Sequence, residues 1–499
     1  MDDQCKTLGS LFPNSTAFPN SSAYDLDAAG YWSNQQRDVT PTCYFEPARP
    51  KEVGIAVLLA RVTKCPFAVK SGGHFQFANS SNIEDGITIT LQRFNKVKLS
   101  ADAQSVSIGP GLRWSDVYRA LEPYNITALG GRVSDIGVGG LITGGGISYF
   151  SGRYGWACDN VINYELVTAD GAVINVNATG PYTDLFWALR GGSNNFGIVT
   201  RFDVKTIPQG VMWGGNVLYS SNYTDAIVKA FVEYSITGAD DLDSELVVPW
   251  IYTSYTGHII IGQLEHARPQ PESGPQIFSA FKKIPAIIDM TKTDSQVNIT
   301  DANLALTPRG LRQTYWTATY KMDEDVLRYI AKLFVEEVDA IANLSGLQAA
   351  MPMALIEKTT IAKMSANGGN PLGLKVEDAP LLLLNAAFSW SDAADDYKVL
   401  KACQNIVDKS VEFAKSKGKD HPYLYLNYAS QFQDVFASYG EENLQRLKDI
   451  SKHYDRPVFS RSLCQVATSW ADLLLGLRPF PPIFSDGGTV HFHCAQFVR

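Results

Sequence analysis

Pro66-Phe67-Ala68-Val69-Lys70-Ser71-Gly72-Gly73-His74 decides how the rest of the chain is read. It is a short apolar strand that breaks into Ser-Gly-Gly, where glycine lets successive amides turn one way and approach a ligand closely. Such a loop can cradle a pyrophosphate without a helix, and His74 stands at its rim. A second run, Gly137-Val138-Gly139-Gly140-Leu141-Ile142-Thr143-Gly144-Gly145-Gly146-Ile147, offers small residues, free amides and one hydroxyl. It does not match Gly-x-Gly-x-x-Gly, and no clear helix is expected to open after it. Either run alone is more often a tight turn than a cofactor site. Together, with a histidine beside one of them, they point to a nucleotide clamp.

Other chemistries are excluded by what the sequence lacks. There is no Gly-x-x-x-x-Gly-Lys-Ser/Thr, no Gly-x-Ser-x-Gly nucleophile elbow and no His-x-x-x-His pair. Seven cysteines, at 5, 43, 65, 158, 403, 464 and 494, include no Cys-x-x-Cys, and no metal site is expected. His258, His266, His421 and His453 read as ordinary structural histidines, and His491-Phe492-His493-Cys494 as incidental. With 43 Lys plus Arg against 51 Asp plus Glu, a net charge of -8 argues against capture by nucleic acid or anionic lipid. No apolar run approaches the roughly 20 residues of a membrane span. A small-molecule partner is therefore expected.

At 499 residues, 45% of them hydrophobic, the chain exceeds what one core supports. Residues 1–40 form a lead-in rich in Pro, Asn and Ser. Residues 41–210 combine a helix at Lys51–Leu59 with short strands at 67–70, 87–90, 96–99, 105–108, 161–167 and 172–176. Residues 211–420 alternate strands such as Glu245–Tyr252 and His258–Gly262 with helices over 323–342 and 393–415, which suggests an antiparallel sheet covered by helices. Residues 421–459, with Tyr423–Ala429 read as a strand and Glu441–Tyr454 as a helix, are expected to return to the first domain. Residues 460–499 form a tail without clear periodicity. The fold class is α+β in two domains.

The combination resembles the vanillyl-alcohol oxidase superfamily, and within it the berberine-bridge-enzyme-like FAD oxidases of fungal type. Beyond the two loops, the resemblance is carried by Arg153-Tyr154-Gly155, Asp159-Asn160-Val161, Asp184–Gly192, Asn195–Thr200, Asn427-Tyr428-Ala429 and Tyr439–Leu447. It implies a PCMH-type FAD-binding domain and a substrate domain. Lys70, Ser71, Gly72, Gly73, His74, Asp135, Gly137, Gly139, Gly140, Thr143, Gly144, Gly145, Ile147, Val199 and Asn427 are then the cofactor residues. His74 corresponds to the histidine that carries the 8α-methyl of FAD. Many relatives attach the flavin a second time through a cysteine where this chain has Val133, so a single linkage is expected. Ile136 stands beside the implied oxygen channel, where fast oxidases commonly have valine.

The chemistry implied is hydride transfer from a small organic substrate to FAD, with O2 as acceptor. Tyr428 is the candidate base, and Asn427 orients a polar group beside it. Alcohol or amine oxidation, dehydrogenation or oxidative cyclisation of a secondary metabolite is the leading reading. A carbohydrate C1 oxidase and a flavoprotein catalysing a non-oxidative cyclisation are the alternatives. Trp114 and Trp187 read as packing residues.

Eight Asn-x-Ser/Thr sequons, at Asn14, Asn20, Asn79, Asn125, Asn177, Asn222, Asn298 and Asn343, and a cysteine cluster at 5, 43 and 65 suit an oxidising compartment. Met1-Asp2-Asp3-Gln4 lacks the features of a signal peptide. A secreted or vesicle-lumenal monomer is expected nonetheless, with its leader outside this chain.

Overall fold

The computed structural model describes residues 2–455. The histidines and cysteine near the C-terminus, Cys464 and the tail read at 460–499 lie outside them. Three sheets carry the architecture. The first has four strands in the order Thr16–Ala17, Cys43–Phe45, Ile87–Thr90, Phe67–Lys70. Cys43–Phe45 and Phe67–Lys70 both run parallel to the wholly buried Ile87–Thr90. A helix over Pro50–Thr63 covers this sheet, started by proline in its first turn and stopped by Lys64 in the left-handed region. It runs four residues beyond the expected Leu59.

The lead-in is more ordered than its composition suggests. Asp2–Leu11, Ser22–Ala29 and Asn34–Arg37 are helical, the last two capped by the side chains of Ser21 and Ser33. Serine at these positions marks helix starts and not loop, because its oxygen accepts from an otherwise unpaired amide. A disulfide between Cys5 and Cys43 ties the leading helix to the first sheet. Among the described residues, Cys65, Cys158 and Cys403 are free and buried.

The second sheet is antiparallel, in the order Val97–Leu99, Ser105–Ile108, Ile198–Pro208, Val161–Val167, Val173–Asn177, with Ile126–Ala128 beside the end of Ile198–Pro208. Its apolar face joins a core containing Trp114, Tyr164, Phe186, Trp187 and Phe202.

The third sheet is antiparallel with nine strands. Its central strands run Met212–Ser220, Gly257–His266, Ser244–Thr253, Gln348–Ile356, Leu381–Trp390, Arg312–Lys321. Helices Thr224–Thr237, Glu324–Asp339 and Asp396–Ser416 cover one face, and the expected stripe of Val326, Ile330, Phe334 and Val338 is buried there. The other face turns toward the two glycine loops.

Tyr423–Ala429 is not a strand. Alternating aromatics suggested one, but only a short 3-10 turn forms at Leu426–Tyr428, and Tyr425 and Tyr428 hydrogen-bond to different parts of the chain. The Tyr425 hydroxyl accepts from the amides of Gly146 and Ile147. Gln433 then docks the segment on the third sheet, accepting from the Thr317 amide at 3.0 Å and donating to the Thr317 carbonyl at 2.7 Å. This carboxamide takes the place of a neighbouring strand.

Candidate active site

The two glycine loops meet backbone to backbone. A side chain on Gly72 would put its Cβ 2.5 Å from the Gly137 Cα, and one on Gly137 would lie 2.6 Å from the Gly72 Cα. Neither position tolerates a side chain. Ser71 locks the contact, donating to the Pro110 carbonyl at 2.5 Å and accepting from the Gly139 amide at 3.2 Å. The second loop itself contains a short helix, Val138–Thr143. Glycine's poor helix propensity conceals it, whereas burial of Val138 and Ile142 on one face supports it.

Around this junction lies a cavity of about 390 Å³, bounded by both loops, residues 193–199, the third sheet and the C-terminal segment. Ser71, Gly72, Gly73, His74, Gly137, Gly139, Gly140, Thr143, Ile147, Val199, Asn427 and Tyr428 line it, as do Val133 and Ile136. Four expected cofactor residues do not. Phe67 and Val69 line the cavity, so strand alternation turns Lys70 to the opposite face. There its ammonium donates to the Asp27 carbonyl at 2.5 Å and lies 4.3 Å from the centre of the Tyr31 ring. Burial pushes Lys70 down to about 8 and Asp27 up to about 7, each opposed by the other's charge. Asp135 is engaged by Arg113 and Arg309. Gly144 and Gly145 lack side chains because Asn427 and the Trp156 ring occupy the space.

His74 stacks on Trp32, ring centres 4.2 Å apart and nearly parallel. Its Nε2 is enclosed without a hydrogen-bond partner. Burial, with Arg113 and Arg309 nearby, pushes its pKa down to about 3, so the imidazole is neutral.

The C-terminal segment brings in Asn427 and Tyr428. Asn427 donates to the Leu141 carbonyl at 3.1 Å and to the Tyr425 hydroxyl at 3.0 Å, stitching that segment to the second loop. Tyr428 accepts from the Arg132 guanidinium at 3.1 Å. Arg132 also pairs with Glu245 at 2.6 Å, while its carbonyl accepts from Tyr149 and Asn303. Glu245 stands directly across the ladder from buried Glu265. Burial raises Glu245 to about 7 and Glu265 to about 8, with Arg132 pulling both down and Glu245 pushing Glu265 further up. Burial works against the Arg132 charge, but Tyr428, Glu245 and Glu265 outweigh it and hold the guanidinium cationic.

Arg132, Trp32 and Tyr315 were not singled out from the sequence. A charge beside Gly130-Gly131 in an apolar stretch is a usable signal for Arg132; nothing local marks the aromatic pair. Asp241, Asp243 and His266 also cluster, but Asp243 is taken by Arg153 and Arg268 and Asp241 by His266, which makes an ion-pair network.

The comparisons with known proteins agree with this geometry. Residues 41–177 match the family model of an FAD binding domain. An FAD-dependent monooxygenase of Cochliobolus heterostrophus is 38% identical over 442 residues, 86% of this chain and 84% of the relative. This chain belongs to the berberine-bridge-enzyme-like FAD-linked oxidoreductases. Within the family it is also 37% identical to an FAD-dependent monooxygenase of Fusarium proliferatum, over 85% of this chain and 84% of the relative. The bifunctional solanapyrone synthase of Alternaria solani is 30% identical over 83% of this chain and 79% of that one. Among solved structures, 6-hydroxy-D-nicotine oxidase of Arthrobacter nicotinovorans superposes with a TM-score of 0.72 at 19% identity, covering 91% of this chain and 98% of the other. A berberine bridge enzyme variant in complex with (S)-reticuline gives 0.72 at 15%, covering 92% and 97%. These structural likenesses show the two-domain fold. The family is an FAD-dependent one, and the double glycine loop with its enclosed imidazole nitrogen fits that cofactor.

Proposed function

We propose that this protein is an oxidase acting on a small secondary metabolite, with FAD attached through His74 alone and Tyr428 as the base. The observation that carries the reading is the pair of groups across one cavity: a neutral imidazole at the rim of the double glycine loop, and a phenol held by a guanidinium. FAD, when bound, supplies the hydride acceptor and hands the electrons to O2. The backbone amides of residues 71–73, 137 and 140 suit the pyrophosphate, those of Val138 and Gly139 being taken by the Leu112 carbonyl and the Ser71 hydroxyl. His74, uncharged and with Nε2 unpartnered, has a lone pair available for a covalent bond, and Val133 offers no second attachment.

Because Tyr428 accepts from Arg132, its own proton is directed elsewhere, toward what occupies the cavity. Loss of that proton leaves an oxyanion against a cation. The names of the relatives support a substrate from secondary metabolism, and the apolar wall of Val247, Pro249, Ile251 and Pro352 offers little to a sugar's hydroxyls. The Cys5–Cys43 bond and six exposed sequon asparagines, at 14, 20, 125, 222, 298 and 343, support a secreted or vesicle-lumenal protein. Asn79 and Asn177 are half-buried.

The test is the visible spectrum after acid precipitation, wild type beside His74→Ala. Yellow colour kept in the wild-type pellet and washed from the variant is the expected result; colour lost from both refutes the linkage. The relatives' name favours oxygen insertion as a second reading. Turnover under 18O2 separates the two, since dehydrogenation leaves the product unlabelled.

A further inference from the structure

We infer that the cavity takes a flat, uncharged alcohol that donates to Asn385, and that the Arg132 cation nearby disfavours amines. The inference rests on the oxidase reading for where the substrate sits. It begins with the wall formed by the third sheet. Pro249 pairs with Pro352 across one ladder, and a second row runs Ile251, Ala350, Ala387, Tyr315 through consecutive registers. Residues opposite one another on paired strands point to the same face, and all of these line the cavity. Alanine and proline leave a shallow apolar trench between Ile251 and Tyr315. A planar molecule fills such a trench better than a bulky one.

Most polar groups along this wall are already satisfied. Gln263 donates to Asn303, and Asn303 donates to the Arg132 carbonyl and the Tyr149 hydroxyl. Gln313 donates to the Pro308 carbonyl and accepts from Ser389. Asn385 stands out on this wall: it is 4% exposed, and its Oδ1 is buried without a hydrogen-bond donor among the described residues. A buried acceptor left unmet is destabilising, so a ligand that donates there gains affinity.

The charges decide which donor. Among the described residues, the ionised side chains lining the cavity are Arg132 and Asp455. Asp455 ends the helix that docks on Asn195 through Ser451, away from the trench. Glu245 lies behind Arg132 and is already paired with it. An ammonium in the trench would be buried near a guanidinium without a counter-charge, which is strongly unfavourable. A hydroxyl donates to Asn385 without that penalty.

The experiment titrates holoenzyme anaerobically with 4-methoxybenzyl alcohol and with 4-methoxybenzylamine, reading the flavin visible band. At pH 7 the alcohol should bind at least ~10-fold more tightly than the amine. Asn385→Leu should weaken the alcohol by about 10-fold at unchanged melting temperature, and Asn385→Asp should reverse the preference toward the amine. An amine that binds the wild type as tightly as the alcohol, an alcohol that does not bind, or an Asn385→Leu variant with unaltered alcohol affinity overturns the inference. Binding is read without turnover. An alcohol that shifts the band but never reduces the flavin leaves the inference standing and counts against the oxidase reading.

Discussion

Arg132→Met separates two duties that one guanidinium performs. Arg132 and Glu245 have side chains only 11% and 12% exposed, so removing the cation leaves a carboxylate buried without its partner. Breaking one side of a buried pair costs about 3–5 kcal/mol. With an unfolding entropy near 2 cal/mol/K per residue, cooperative unfolding of roughly 450 residues converts this to a drop in Tm of about 3–5 °C. The drop should be larger at pH 8.5 than at pH 5.5, because Glu245 escapes the penalty by taking a proton at low pH. Adding Glu245→Met should recover the melting temperature, since an apolar pair in place of a buried ion pair is close to neutral. It should not recover the rate. Tyr428 still lacks its donor, and a hydrogen bond involving a charged group is worth about 1.5–3 kcal/mol, or about 10- to 150-fold in rate. Differential scanning fluorimetry and anaerobic stopped-flow flavin reduction read the two quantities independently. If the double variant regains both, Arg132 merely neutralises Glu245, and its role toward Tyr428 is refuted.

Glu265 holds a proton in the folded chain up to about pH 8 that the unfolded chain releases near its ordinary carboxylate range. Wild-type stability should therefore fall as pH rises through that window, with the loss complete above 8, and Glu265→Gln should flatten the curve of Tm against pH. A variant with an unaltered slope would place the burden on another group. Cys5→Ser opens a loop spanning 38 residues, and chain entropy assigns that crosslink about 4 kcal/mol; urea titration should show a loss of this order, and an unchanged midpoint would mean that the leading helix docks without it. Gly72→Ala drives a methyl into the Gly137 backbone, where no flexible atom can yield. Flavin content per mole of purified protein, read from the visible spectrum, should fall at least several-fold, and full occupancy would show that the loops can separate.

What could be read from the sequence was local. The Ser71–His74 and Gly137–Thr143 loops were legible because close approach demands glycine whatever lies across from it. The Glu324–Asp339 and Asp396–Ser416 helices were legible because a 3.6-residue period survives without knowledge of the partner face. Lys70 and Asp135, named on the family resemblance, do not line the cavity: Lys70 alternates to the other face of its strand from Phe67 and Val69, and Asp135 is held by Arg113 and Arg309, 22 positions before it and 174 after it. Tyr423–Ala429 imitates a strand through aromatics whose partners come from the second loop and the core. Arg132 and Tyr428 are 296 positions apart, a pairing that periodicity does not report.

The segment just before Gly137 links these observations. A side chain at Gly130 would overlap the Trp114 ring, with a Cβ only 2.1 Å from it, so the backbone there is pressed flat against the core. Hydrogen bonds from Tyr149 and Asn303 to the Arg132 carbonyl then fix the next step of the chain. With the backbone held on both sides, Arg132 reaches Tyr428 and Val133 faces the cavity wall. This stretch supplies a guanidinium to the phenol. A buried cation needs an anion behind it, which accounts for Glu245. Glu245 and Glu265 oppose each other across the ladder with only one cation between them, so one of the two carboxyls must hold a proton for the cluster to be neutral. Burial raises both acids against the pull of Arg132, and the pH dependence expected of the fold follows from that burial.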